Sequence, residues 1–205
     1  MDYAIEVRNL TKRYKDFTLE NISFALPRGT IMGLIGENGA GKSTLINSIL
    51  GIADSDSTLT AILGLDMKTH SKIIKEDIAV IFNDSHYDIS LTPRIIGHIL
   101  SKVYKNWDAS LFSSYLERFG LPEKKKIKKL STGMRVKLEF AAALSHHPKL
   151  LILDEATSGL DPVFRDEILD ILREFTEDED HAVLMSSHIT SDLDKIADYI
   201  AYIHK

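Results

Sequence analysis

An α/β fold built on a mainly parallel sheet is expected for this chain, and three observations carry that expectation. Four short runs, Thr30 to Ile35, Ile78 to Phe82, Lys149 to Leu153 and Ala182 to Met185, have the near-continuous hydrophobicity of strands buried on both faces. Segments with helical spacing separate these runs, which implies crossover connections that cover both faces of the sheet. A glycine-rich stretch joins the first run to a helical pattern, placing a ligand-binding turn at the end of a central strand. With 205 residues and 44% hydrophobic content, the chain can build one sizeable core with a small subdomain attached.

At the N-terminus, Ile5, Val7 and Leu10 alternate with Glu6, Arg8 and Asn9, and Leu19, Ile22, Phe24 and Leu26 follow. This period of two predicts an N-terminal antiparallel β-subdomain that ends at the turn Pro27-Arg28-Gly29. Between Thr30 to Ile35 and a helix from Lys42 to Leu50 stands Gly36-Glu37-Asn38-Gly39-Ala40-Gly41-Lys42-Ser43-Thr44, a phosphate-binding P-loop in its expected strand-to-helix setting. Its glycines let backbone amides wrap a polyphosphate at the positive end of the helix. Lys42 supplies charge to the β and γ phosphates, and the Ser43 hydroxyl is a Mg²⁺ ligand. A nucleoside triphosphate is therefore the predicted ligand.

Gly51 is the expected C-cap of that helix, Asp54 to Ser57 a loop, and Thr58 to Leu63 a short strand. From Leu91 to Gly120 the period becomes helical: Thr92-Pro93 opens one helix, and Asp108 and Gly120 bracket a second. An α-helical subdomain inserted over residues 91–147 is the reading. The charge run Lys124 to Lys129 fits a solvated linker face, with a role near phosphates or lipid headgroups as the alternative. A helix from Thr132 to Ser145 follows, His146-His147 reads as its polar end, Asp161-Pro162 opens another helix, and Ile196 to Ile203 closes the chain.

Bulk properties narrow the partners. A formal charge of −5 disfavours a nucleic-acid binder held by overall electrostatics. Zero cysteines exclude disulfides, cysteine-ligated zinc and a thiol nucleophile. The start Met1 to Glu6 has neither a basic region nor an apolar core of a signal peptide, and no apolar stretch reaches bilayer-spanning length, so a cytoplasmic chain is expected, reaching a membrane through a partner.

The strand Leu150 to Leu153 runs into Asp154-Glu155. At the carboxyl edge of a sheet beside a P-loop, Asp154 is placed to hold the Mg²⁺ directly or through water, and Glu155 to polarise the attacking water.

Shortly before this strand stands Leu130-Ser131-Thr132-Gly133-Met134, which resembles the signature motif of the ATP-binding cassette (ABC) family. Tyr14 is similar to the aromatic residue that stacks on adenine there, Ser158-Gly159-Leu160-Asp161 resembles the D-loop, and His188 the switch histidine. The resemblance runs through essentially the whole chain in the family's order. Residues 91–147, including Tyr104 to Asp108, look most like ATPase subunits of Gram-positive exporters for drugs, antimicrobial peptides or amphipathic peptide toxins of the phenol-soluble modulin type. The resemblance implies MgATP hydrolysis, a head-to-tail pair with a second copy or a related subunit, and an integral membrane permease whose inner face holds the chain. It also implies that Ser131, Thr132, Gly133 and Met134 close on the γ-phosphate held by Lys42 of the opposite subunit. A backbone start of a helix with a serine donor suits that task. On residues alone, Tyr14 equally fits a half-buried core aromatic and His188 a core histidine.

Departures from the family pattern stand at Asn83, where glutamine is usual beside the metal, at Thr132 and Met134 in the signature, and at Ala156 in place of proline. Asparagine keeps the amide but is one methylene shorter. Ser131, Gly133 and Glu155 are retained, so an active site is expected. A cassette ATPase not tied to transport is the rival reading.

Overall fold

The computed structural model describes residues 2–82 and 87–204, so Asn83 lies outside the described residues. Strand β1 (Tyr3–Arg13) pairs antiparallel with β2 (Thr18–Pro27) and with β4 (Leu59–Ile62), which in turn pairs with the short β5 (Leu65–Asp66). The alternation seen in the sequence decides the register: Ile5, Val7 and Leu10 are buried, whereas Arg8 and Asn9 are exposed. The turn after Pro27 then passes the chain from this sheet to the next.

The second sheet has the order β6 (Ile78–Phe82), β7 (Leu150–Asp154), β8 (Ala182–Ser186), β3 (Thr30–Ile35), β9 (Tyr199–Tyr202), with neighbouring strands parallel. Strands β7 and β8 are buried at all their positions, as expected for a sheet covered twice. The period of two splits their side chains between two cores. Leu150, Ile152 and Leu184 join Ile46, Ile49 and the β1 residues, while Leu151, Leu153, Val183 and Met185 join the cluster containing Phe112, Phe140 and Phe164.

Helix α1 (Lys42–Ile49) follows β3, and α2 (Met67–Ile74) precedes β6. Between β6 and β7 come α3 (Pro93–Val103), α4 (Ala109–Arg118), a 3₁₀ turn at Ile127–Lys129 and α5 (Thr132–Leu144). Their starts are capped where the sequence places caps: Thr92 accepts from the Ile95 amide, Asp108 from the Ser110 and Leu111 amides, and Ser131 from the Met134 amide. Helix α6 (Pro162–Thr176) begins at Asp161, which accepts from the Phe164 amide, and α7 (Thr190–Ile196) follows β8.

Two expectations change. The closing segment is a helix end at Ile196 followed by a separate strand, β9. His146 is not a polar helix end: it is 2% exposed, its Nε2 lies 3.1 Å from the Ile78 carbonyl, and its ring stacks on Tyr104 at 4.0 Å. His147, by contrast, is exposed. The β6 carbonyl and the Tyr104 ring thus line the buried face of the first imidazole.

Candidate functional site

Strands β3, β8 and β7 stand side by side, so the segments leaving their carboxyl ends converge. Asn38, Gly39, Gly41, Lys42, Ser43 and Thr44, from the loop after β3, share a cavity of about 410 Å³ with Glu155 and Ser158 after β7 and His188 after β8. The loop closes on itself through the Ala40 amide, which donates to the Glu37 carbonyl at 3.0 Å. Gly41 has φ +108°, and a Cβ there would stand 2.6 Å from Phe17 Cζ, so only glycine fits.

Lys42 is 6% exposed. Its Nζ donates to the Gly36 carbonyl at 2.9 Å and the Glu37 carbonyl at 3.4 Å, and lies 3.5 Å from Glu155 Oε1. The other Glu155 oxygen is in contact with His188 Nδ1. One carboxylate thus bridges an ammonium and an imidazole. Glu155 itself is in the left-handed region at φ 55°, a conformation of non-glycine residues that costs of order 1 kcal/mol or more. Its backbone is held there: the amide donates to Ser186 Oγ at 3.0 Å, and the carbonyl accepts from Ser158 Oγ at 2.9 Å.

Asp154 is 8% exposed, and its Oδ1 accepts from Ser186 Oγ at 2.7 Å. Ser186 therefore bridges the Asp154 carboxylate and the Glu155 amide. The parallel register sets Asp154 beside Ser186 and thereby makes this bridge. Sequence reading passed over Ser186, and the signal for it is a hydroxyl at the last position of the neighbouring apolar strand.

Phe17 lines the cavity, and Tyr14 does not. The Tyr14 ring is half exposed, with Lys12 Nζ 4.9 Å from its centroid, and its amide donates to the Phe17 carbonyl to close the turn between β1 and β2. Phe17 is a second aromatic residue that sequence reading missed; two aromatics three residues apart in a hairpin turn are the pattern that marks it. Ser131 and Thr132 are exposed at the start of α5, with Gly133 and Met134 half-buried, and none of them lines the cavity. Of the remaining loop, Leu160 is buried and Asp161 serves as a helix cap.

Comparison with known proteins gives these contacts a context. A profile of the ABC transporter family matches residues 19–158. The chain belongs to the ABC transporter family. Among relatives of this ABC subunit, the bacitracin transport ATP-binding protein BcrA of Enterococcus faecalis is 35% identical over 100% of the chain and 68% of that protein. The lantibiotic transport ATP-binding protein SrtF of Streptococcus pyogenes is 33% identical over 98% of the chain and 87% of that protein. A solved ATP-binding subunit of an ABC transporter superposes with a TM-score of 0.89 at 26% identity, covering 98% of the chain and 86% of that structure. The structure of cbiO1 from Clostridium perfringens, part of the ABC transporter complex cbiONQ, gives 0.79 at 26% identity, with coverages of 99% and 85%.

The chain is thus an ATP-binding subunit of the ABC type, from a family that hydrolyses ATP to power transport. Among the described residues no helix is long and apolar enough to cross a membrane.

Proposed function

We propose that this ABC subunit drives export of a small or amphipathic peptide or drug-like molecule through a separate integral membrane permease, with ATP sealed between two copies of the chain or between the chain and a related subunit. The observation that carries this reading is the cavity shared by Lys42, Ser43, Glu155 and His188, together with Ser131 and Gly133 standing outside it at an accessible helix start. Outside its chain neighbours and its own helix backbone, a Cβ at Gly133 would meet no described atom within 4 Å. Packing within the chain does not account for the glycine, whereas close approach to a phosphate on the opposite subunit does. The names of the bacitracin and lantibiotic transport relatives support a peptide cargo.

ATP entry requires Lys42 to leave Glu155 and the Gly36 carbonyl for the β and γ phosphates, while the amides of residues 39–44 wrap the chain of phosphates. Tyr14 stacks on the adenine. Among the described residues no three His, Asp or Glu side chains converge on a metal. Ser43 and Asp154 nevertheless supply the hard oxygen donors that Mg²⁺ prefers when phosphate oxygens complete its shell, and Asn83 is the proposed amide contribution. Bound there, the ion would neutralise phosphate charge.

Freed from Lys42, Glu155 accepts a proton from the water that attacks the γ phosphorus, and ADP leaves with the bridging oxygen. His188 orients that water against the γ-phosphate. Ser131 and Gly133 of the opposite subunit, followed by Thr132 and Met134, close the site, and residues 158–161 meet their counterparts across the interface. Residues 91–147 carry Ser131, so closing and reopening moves a helical subdomain against the core and passes the motion to the permease. The permease keeps the chain at the cytoplasmic face of the membrane.

Purification through a tag on this chain, followed by reconstitution in vesicles with any polytopic membrane protein that co-purifies, tests the reading. Recovery of a complex whose vesicles accumulate a bacitracin-like peptide only with ATP is expected. Failure of any membrane protein to co-purify with the chain would favour the non-transport cassette ATPase.

A further inference from the structure

Two cross-links join the loop that follows β7 to the segment that follows β8. The outer one is the contact between Glu155 and His188, at the rim of the cavity, with His188 half exposed. The inner one lies two residues further along the first segment and four along the second. There Thr157, fully buried, donates its Oγ1 proton to Asp192 Oδ2 at 3.2 Å, and Asp192 is only 3% exposed. Arg165, on α6, brings its Nε to 3.9 Å from the same carboxylate oxygen and donates from Nη2 to the Leu160 carbonyl at 3.1 Å. Asp192, on α7, therefore gathers groups from two other places in the fold: the loop after Glu155 and helix α6.

A carboxylate shielded from water keeps its geometry because no solvent competes for its donors, whereas a rim contact exchanges freely with water or phosphate. The side chain of Asp192 does not line the cavity, and it stands four residues beyond His188, in the first turn of α7. We infer that Asp192, with Thr157 and Arg165, is the positioning group that sets where His188 stands relative to Glu155 during hydrolysis. This rests on the role proposed above for His188. The outer contact must open and re-form as nucleotide comes and goes, and the inner one supplies the fixed reference from which it does so. Through Leu160, the same anchor reaches the 158–161 segment.

Steady-state ATPase kinetics of the full chain, with Asp192→Asn, Thr157→Val, Thr157→Ser and His188→Ala, test the inference. Asp192→Asn preserves the shape and removes the charge opposite Arg165; Thr157→Val removes the hydroxyl, and Thr157→Ser restores it. Expected is a fall in kcat of about 10-fold for Asp192→Asn and Thr157→Val, with KM for ATP unchanged within about 2-fold, and near-normal kcat for Thr157→Ser. Added to His188→Ala, Asp192→Asn should cost nothing more, since the residue it positions is gone. Wild-type kcat in both Asp192→Asn and Thr157→Val, or a full extra loss on the His188→Ala background, overturns the inference and leaves the His188 role standing. Unchanged kcat in His188→Ala alone overturns both. Thermal melting of each variant identifies unfolding, and Thr157→Ser carries the comparison if Asp192→Asn does not fold.

Discussion

The Lys42 ammonium faces the Glu155 carboxylate at 3.5 Å, in a site where the same carboxylate also touches His188. The group proposed to bind phosphate and the group proposed to activate water are thus paired with each other, and nucleotide has to separate them. Glu155→Gln keeps the shape and removes the charge. Phosphate release should fall ~10²–10⁴-fold, while ATP affinity by calorimetry is retained or rises because Lys42 loses its competing partner. Undiminished phosphate release would remove Glu155 as the base.

Gly133 gives a separate readout for the second subunit. Its Cβ position is open, and it lies in the first turn of α5. Gly133→Ala should leave the melting temperature unchanged or raise it, since alanine gains up to about 1 kcal/mol of helix propensity over glycine. Turnover should nevertheless drop by more than ~10-fold, because on the proposed closure the methyl group stands in the path of the opposite subunit's phosphate. Full activity in a stable Gly133→Ala protein would argue against closure at that residue.

The two aromatic residues near the loop separate by ligand. Tyr14→Ala should weaken ATP binding about 5-fold to 150-fold, the equivalent of a stack worth ~1–3 kcal/mol, and leave inorganic pyrophosphate binding unaltered. Phe17 packs over Gly41, so Phe17→Ala should disturb both ligands. Equal loss of ATP and pyrophosphate binding in Tyr14→Ala would transfer the stacking role away from Tyr14.

His146 makes stability depend on pH. Burial, the largest influence, pushes its imidazole below the ordinary value of 6.5, although the Ile78 carbonyl pulls the other way. The folded chain therefore takes up this proton less readily than the unfolded one. Its contribution is fully present above about pH 6.5 and is lost as pH falls through the depressed folded value. Urea unfolding at pH 7 and pH 5 should show a larger loss of stability for the wild type than for His146→Phe, which keeps a ring against Tyr104. Equal losses would mean that another group governs this range.

Periodicity made most of the fold legible. The unbroken runs of β3, β6, β7 and β8 and the caps at Thr92, Asp108 and Asp161 are local signals, and each has a local physical cause. Helix α2 was missed because Lys68, Thr69, His70, Ser71 and Lys72 dilute its apolar stripe; it is held instead by Asp66, whose side chain accepts from the Thr69 amide at 3.0 Å. Strand β9 was blurred into a longer closing segment because Tyr199, Ile200 and Tyr202 remain largely exposed at the sheet edge. In the site, the P-loop and the Asp154-Glu155 pair were visible as contiguous motifs. Ser186 and Phe17 were not, since each acts through strand register or a hairpin turn, which no single stretch of sequence encodes.

Strand β8 lies between the two strands whose loops bear Lys42 and Glu155, and its end is fastened both ways: Ser186 Oγ donates to Asp154 at 2.7 Å, and the Ser187 amide to the Leu34 carbonyl at 3.3 Å. Neither loop can drift without dragging this middle strand. Amide protons at the ends of β3, β7 and β8 should therefore exchange with deuterium at a common rate, as a single cooperative unit, and ligand protection that begins at any one of the three should spread to the other two.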